Sequence, residues 1–320
     1  MQPFRFLKES GKAVFQDRYV KKASEMLHTW DGNQAGRIGI IGAPLSKSSI
    51  SHSGAAFAPG AIRKMLSSYS TYSIEEDIDL SDSVITDYGD IVMHPTDIVE
   101  SQKRIAETIE QLVAVHPDVL FIILGGDHSI SFPAVSGFQK HWRKVGVIQF
   151  DAHHDLRNLD DGGPTNGTPF RSLIESGTIK GSHLIQIGIR DFANSKTYTE
   201  YGKRHGVSIY TMKDVRNRDI KEIIEESVQQ LEREVDAIYI SVDMDVLDQA
   251  YAPGCPAIGP GGMDSASLLD AVALLGEYEI VKAMDIVEID PTIDFRDVTS
   301  RTAAWVIMQF LKGKKKAGWV

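Results

Sequence analysis

Seven short runs, at 37–42, 119–125, 145–150, 183–188, 207–211, 237–242 and 281–289, are rich in β-branched residues, and several are apolar almost from end to end. A strand that is apolar on both faces must be covered on both faces, which a sheet sandwiched between two other layers allows. The segments between the runs supply those covers. Over 96–116 the residues Ile98, Ile105, Ile109, Leu112 and Val113 fall on one helical face, and over 218–234 Ile220, Ile223, Ile224, Val228 and Leu231 do the same. Strand and helix alternate from residue 37 onward, so the pattern predicts an α/β fold with a parallel sheet and helices on both sides.

No Pro/Ser-rich linker, composition break or internal period divides the 320 residues, and a single domain over 1–320 is expected. The stretch 67–73 reads as a polar connection. Gly162-Gly163-Pro164 and Gly259-Pro260-Gly261-Gly262 mark loops, each following a strand that ends in acidic residues. A net charge of -10 argues against a nucleic-acid partner, which would call for a basic stripe. The basic run Lys312-Gly313-Lys314-Lys315-Lys316 is expected to be a solvated C-terminus. The single cysteine, Cys255, cannot form an intramolecular disulfide and fits a reducing compartment; with no base beside it in the sequence it reads as a loop cysteine. The first ten residues lack the apolar core of a signal peptide, and no window approaches the roughly 18 apolar residues of a membrane span, so no membrane partner and a cytoplasmic location are expected.

Open parallel sheets bind ligands at the carboxyl ends of their strands. Three runs end there in metal-ligand residue types: Leu124-Gly125-Gly126-Asp127-His128, Gln149-Phe150-Asp151-Ala152-His153-His154-Asp155, and Ser241-Val242-Asp243-Met244-Asp245-Val246-Leu247-Asp248. In an extended chain residues i, i+2 and i+4 point to one side, so Asp151, His153 and Asp155 are expected to converge, as are Asp243 and Asp245. His154 is expected to point away, and Asp127 and Asp248 to form turns or outer contacts. A lone Asp-x-Asp at a strand end is ordinarily a cap or turn former. Three such clusters, each directly after an apolar strand, are not. So many carboxylates repel one another unless cations neutralise them. Four aspartates and two histidines suffice for two divalent ions; oxygen-rich ligation with some imidazole suits Mn²⁺, and the absence of thiolate weakens the case for structural zinc. Two ions roughly 3.5–4 Å apart lower the pKa of a shared water, which points to metal-assisted hydrolysis.

At these residues the chain resembles the ureohydrolase family, whose Gly-Gly-Asp-His, Asp-Ala-His-x-Asp and Ser-x-Asp-x-Asp motifs appear intact and in order. The resemblance runs from Ile41-Gly42-Ala43-Pro44 and Ala58-Pro59-Gly60-Ala61-Ile62-Arg63 to Asp285-Ile286-Val287-Glu288-Ile289-Asp290-Pro291. It implies a three-layer αβα sandwich around a central, mainly parallel sheet, a small-molecule substrate, a homo-oligomer, and two Mn²⁺ per subunit. On the family pattern one ion takes His128 and Asp155, the other takes His153 and Asp245, and Asp151 and Asp243 bridge them. Asp155 would also relay a proton to the departing nitrogen, and Glu288 would hold a guanidinium or amidinium group, a role that suits a charge-assisted contact.

Within the family, Ser46-Lys47-Ser48-Ser49-Ile50-Ser51-His52-Ser53-Gly54, the segment 151–170 and the segment 251–262 (Tyr251-Ala252-Pro253-Gly254-Cys255-Pro256-Ala257-Ile258-Gly259-Pro260-Gly261-Gly262) look like the bacterial branch that cleaves N-formimidoyl-L-glutamate to glutamate and formamide in histidine breakdown. Agmatine or guanidino-acid hydrolysis, a metal-binding protein without activity, and single-zinc deacetylation are the alternatives. Arginases and agmatinases carry a proton-shuttling His in the loop after Asp-Ala-His-x-Asp. Here Thr165-Asn166-Gly167-Thr168-Pro169 places Asn166 at that point, and an amide cannot exchange a proton near neutrality, so Asn166 is expected to orient substrate or water. A substrate with two carboxylates needs fixed donors, and Arg suits planar carboxylates better than Lys. Arg157, two residues past Asp155, is the leading candidate, with Arg190 and Arg296 behind it.

Overall fold

The computed structural model describes residues 17–33 and 35–320; the N-terminal ten residues, read above as lacking a signal-peptide core, lie outside the described residues. All seven runs form strands. They are β2 (Ile38–Ala43), β6 (Leu120–Gly125), β7 (Val145–Phe150), β8 (Leu184–Ile189), β9 (Ser208–Thr211), β10 (Ala237–Asp243) and β11 (Val281–Val287). Four further strands were not legible in the pattern: β1 (Leu27–Thr29), β3 (Tyr72–Ser73), β4 (Ile78–Asp79) and β5 (Ile85–Asp90). β1 lies at one edge of the main sheet and β5 beside it; β5, Ile-Thr-Asp-Tyr-Gly-Asp, is exposed toward its end, so neither needs an apolar sequence. The nine-stranded sheet has the order β1-β5-β2-β6-β11-β10-β7-β8-β9, with every neighbouring pair parallel.

Each face of that sheet carries its own core. On one face lie α2 (Ile98–Val115), α3 (Ser131–Gln139), α4 (Pro169–Glu175) and α5 (Lys196–Arg204), contributing residues such as Ile105, Ile109, Val113, Phe138, Phe170 and Tyr201. On the other lie α1 (Ala58–Met65), α6 (Met212–Asn217), α7 (Ile220–Leu231), α8 (Ser265–Glu277) and α9 (Val298–Lys316), whose apolar stripes meet Ile40, Ile122, Ile148 and Ile240. The expected three-layer αβα sandwich is present. The α7 stripe is buried at all five expected positions; in α2, Ile98 and Leu112 are only half-buried because they flank the buried line Ile105–Ile109–Val113. Among the described residues no helix is long and apolar enough to cross a membrane.

Two expectations need correction. The stretch 67–73 is not a plain connection: Leu66–Ser68 makes a 3₁₀ turn and β3 pairs antiparallel with β4. The basic run is not a solvated tail but the last turn of α9. Lys314 is 1% exposed and donates to the carbonyls of Tyr278 (2.8 Å) and Val281 (2.9 Å), with its ammonium beside the Phe310 and Trp319 rings. Lys312 pairs with Glu76, Lys315 with Asp82, and Lys316 with Glu76 and Glu277. Lysine stems lie along apolar surface while their heads reach acceptors, a use of the residue that charge counting does not reveal.

Candidate metal centre and active site

The carboxyl ends of four strands adjacent in the sheet, β6, β11, β10 and β7, deliver the expected residues to one point. After β6 the backbone passes Gly126, where a Cβ would lie 1.8 Å from the Leu45 carbonyl oxygen, so glycine alone fits. The next amide, Asp127 N–H, donates to that same oxygen (2.7 Å), and the Asp127 side chain caps the following 3₁₀ turn at Ser129. That turn carries His128 over the sheet edge. Directly after β11, Glu288 adopts a left-handed backbone (φ 61°), its amide donating to Gly126 O (2.9 Å).

The residues converge as expected, but not by strand alternation. β7 ends at Phe150, and Asp151 accepts the His153 amide on its own Oδ1 (2.6 Å), which tightens the chain into a turn. Asp155 then takes a left-handed conformation (φ 50°) that brings its carboxylate back toward His128. Asp243 is the last residue of β10, and its Oδ1 accepts the Asp245 amide (2.8 Å) at the head of a 3₁₀ turn. Asx-type turns, rather than extended chain, place each i, i+2 pair side by side.

Two ligand sets result. His128 Nδ1 lies 2.9 Å from Asp155 Oδ2 and 3.1 Å from both Asp151 Oδ2 and Asp243 Oδ2. His153 Nδ1 lies 3.0 Å from Asp245 Oδ2 and 3.4 Å from Asp151 Oδ1. Asp151 therefore offers one oxygen to each set. His128 Nδ1 is buried and, although three carboxylates surround it, it meets none with hydrogen-bond geometry. A buried polar atom without a partner, ringed by acceptors, is what a cation between them would explain. Metal ligation brings each donor to about 2.0–2.2 Å from a common centre, and donors about 3 Å apart fit around one.

The electrostatics agree. Against the opposing effect of burial, the carboxylates of Asp151, Asp155 and Asp243 hold the His128 imidazolium well above its ordinary range. Asp245, with further help from Asp151, pushes His153 up to about 12. Burial and then the Asp151 charge raise Asp155 to about 6; burial, Asp245 and Asp151 raise Asp243 well above the carboxylate range. A cluster so short of positive charge takes up protons when no metal neutralises it.

His153, Asp155, Asp243 and Asp245 line a cleft of about 390 Å³, together with Ile50, Ser51, Arg157, Asn166, Tyr198 and Glu288. Glu288 Oε1 accepts the His128 amide (2.8 Å) and Asn166 Nδ2 (3.0 Å). Burial, then the neighbouring charge of Asp127, raises Glu288 to about 8. Asn166 also accepts the Ile50 amide on Oδ1 (3.0 Å) and donates its own amide to Ser48 O (3.1 Å). In the structure its partners are thus Glu288 and the 46–51 loop, a role the sequence did not suggest.

Arg157 is exposed at the cleft wall, its stem against Gly167. Arg190 is 8% exposed and donates Nη1 to Gly259 O (2.9 Å); it faces a neighbouring hollow with Lys213 and Arg216, which shares His153 and Ala257 with the cleft. Arg296 is exposed and lines neither. His154 turns its ring into the protein to Gln186 Oε1 (2.7 Å) and Thr199 Oγ1 (2.9 Å), as expected. Asp248 accepts the amides of Ala250, Gly261 and Gly262 as a turn former, and Asp127 accepts Ser48 Oγ behind the site. Cys255 is buried, and burial followed by the charges of Asp243 and Asp245 holds its thiol well above the usual range, so it is no nucleophile. Sequence reading missed Asn194, which ties Ala152 O (2.9 Å) to the His154 amide (2.8 Å), and the cleft residues Ser195 and Tyr198; none stands in a pattern with metal-ligand spacing.

A model of the arginase family matches residues 36–312. A formimidoylglutamase of Halalkalibacterium halodurans is 60% identical over 314 residues, 98% of each chain. The Bacillus subtilis formimidoylglutamase is 50% identical over 315 residues, again 98% of each chain. A crystal structure of formimidoylglutamase from that organism superposes with a TM-score of 0.94 at 51% identity, over 97% of this chain and 96% of that one. A Trypanosoma cruzi formiminoglutamase solved with Mn²⁺ shares the fold at 22% identity, with a TM-score of 0.83 over 92% of this chain and 98% of that one.

Proposed function

The chain belongs to the arginase family, and on that premise we propose that it is a hydrolase that cleaves N-formimidoyl-L-glutamate to L-glutamate and formamide, a step of histidine degradation. The observation that carries the chemistry is the unpartnered, buried Nδ1 of His128 among three carboxylates, beside a buried Glu288. Two Mn²⁺ would be held by His128, Asp151, His153, Asp155, Asp243 and Asp245, a hard, oxygen-rich set with two imidazoles that suits this ion. When bound, such a pair lowers the pKa of water and polarises the group under attack, which supplies a nucleophile at neutral pH.

The chain's own residues do the rest. Glu288 has one oxygen occupied by the His128 amide and Asn166, leaving Oε2 to accept from the N–H groups of a cationic formimino group, which both binds and orients it. Asn166 holds Glu288 in that pose and moves no proton. Asp155 lies at the cleft floor beside His128, placed for a carboxylate that accepts a proton and returns it to the departing nitrogen. Arg157 and Arg190, in the cleft and the adjoining hollow, supply the planar donors for the substrate's carboxylates. One domain over 1–320, a cytoplasmic location and a homo-oligomer complete the reading.

The test is a substrate panel on the Mn²⁺-loaded protein with metal analysis of the same sample. Turnover of N-formimidoyl-L-glutamate at two ions per chain is expected. Turnover of agmatine, arginine or guanidinobutyrate with silence on formimidoylglutamate would refute the assignment.

A further inference from the structure

His128 has a second ring nitrogen, and what lies behind it is absent from the motif logic. Nε2 lies 2.9 Å from Ser241 Oγ. Ser241 in turn donates to Asp285 Oδ1 (2.7 Å), while Ser131 (2.6 Å) and Tyr239 (2.9 Å) donate to Asp285 Oδ2. Ser131, Tyr239, Ser241 and Asp285 are all 0% exposed, and His128 is 1% exposed. A carboxylate sealed in the sheet with three hydroxyl donors is costly to bury and has no place in the cleft.

A hydroxyl has one proton. Ser241 gives its proton to Asp285, so its oxygen accepts from His128 Nε2, and once an ion replaces the proton on Nδ1 the remaining ring proton stays on Nε2. The Nδ1 lone pair is then directed to an ion lying among Asp151, Asp155 and Asp243. The reverse arrangement, with Ser241 donating to Nε2, would place the ring proton on Nδ1 and block a metal there.

We propose that Asp285 is a positioning residue that, through Ser241, fixes the tautomer and orientation of His128 and so determines how tightly one of the two metal ions is held. This rests on the two-ion reading above. Outer-shell partners of a ligating histidine typically change metal affinity 10- to 100-fold when removed. The effect is confined to one ion, since the relay touches His128 alone and not His153.

The experiment is a Mn²⁺ titration followed by electron paramagnetic resonance, which counts free ions and detects the coupled pair, on wild type, Asp285→Asn, Ser241→Ala and Tyr239→Phe. Asp285→Asn and Ser241→Ala should each keep one ion at wild-type affinity, weaken the other about 10- to 100-fold, and lose the coupled-pair signal at low metal. Tyr239→Phe, which removes a donor to Asp285 that never meets His128, should bind both ions like wild type. If Asp285→Asn fails to fold, judged by thermal melting in chelator, Ser241→Ala carries the test. Wild-type affinity for both ions in the folded variants, equal weakening of both, or the same loss in Tyr239→Phe would each overturn the proposal. A wild type that does not bind two ions would instead overturn the proposed function.

Discussion

Asn166 offers a sharp test of the site because it touches Glu288 and none of the six proposed ligands. Its Nδ2 donates to Glu288 Oε1 at 3.0 Å, and among the described residues the only other donor on that oxygen is the His128 amide at 2.8 Å. A bound cationic substrate holds Glu288 ionised, and a hydrogen bond to such a charged group is worth about 1.5–3 kcal/mol. At about 1.36 kcal/mol per decade, Asn166→Ala should therefore lower kcat/KM for N-formimidoyl-L-glutamate by about 10- to 150-fold. The Ile50 amide that Asn166 also satisfies is exposed, so water replaces that contact and adds little. Asn166→Asp goes further. It sets two carboxylates about 3 Å apart, where repulsion reaches about 5 kcal/mol at an effective dielectric constant of about 20. One of them takes up a proton instead, and a protonated carboxyl introduced at this position donates much as the amide did. The Asn166→Asp variant should thus fall below Asn166→Ala at neutral pH and recover relative to wild type as pH is lowered under saturating Mn²⁺. Steady-state kinetics with metal analysis decides the matter. Activity of Asn166→Ala within about twofold of wild type at two ions per chain, or a loss that follows metal loss, would refute the reasoning, since the expected deficit is at least about tenfold.

The remaining predictions concern charge. Glu288→Gln keeps shape but removes the buried carboxylate; leaving a cationic substrate group unpaired costs about 3–5 kcal/mol, so kcat/KM should fall about 150- to 5,000-fold with metal content unchanged. Metal binding should also reverse the pH response of stability. In the metal-free protein the raised pKa of His153, about 12, contributes stability that is complete below the unfolded value near 6.5 and is lost as pH rises toward the folded one. Binding metal requires neutral imidazoles, so it displaces protons and strengthens as pH rises. The gap in Tm between Mn²⁺-loaded and chelated protein should therefore widen from about pH 6 to about pH 9, and a constant gap would contradict His128 and His153 as ligands.

Much of this site could be read in the chain because its candidate ligands sit where apolar strands end. The runs before His128, Asp151 and Asp243 are buried along their whole length, and an acidic residue directly after such a run has few structural reasons to be there. β1 and β5 escaped notice for the converse reason: near a sheet edge, half-exposed residues suffice and periodicity fades. The tail was misjudged because a lysine's charge is visible in sequence whereas the carbonyls that receive Lys314 come from Tyr278 and Val281, more than thirty positions away. Asp285 stands in the sequence only as one residue of an apolar strand motif. It accepts from three hydroxyls on two other elements, which no spacing rule connects.

The alternation argument brought the candidate ligands together through a conformation the chain does not adopt, and the difference bears on how the site is held. Strand geometry would have placed Asp151, His153 and Asp155 at no conformational cost. Instead Asp155 and Glu288 both occupy the left-handed region, which costs a non-glycine residue about 1–3 kcal/mol. That strain persists only where surrounding contacts over-determine it. Around Asp155 they are the Arg171 amide on its carbonyl (3.4 Å) and His128 on its side chain; around Glu288 they are Gly126 O, the His128 amide and Asn166. His128 appears in both sets. On the proposed reading His128 ligates metal; it also touches one strained carboxylate through its ring and the other through its amide, which couples the proposed metal floor to the Glu288 wall. Disturbing its orientation from behind should therefore loosen both.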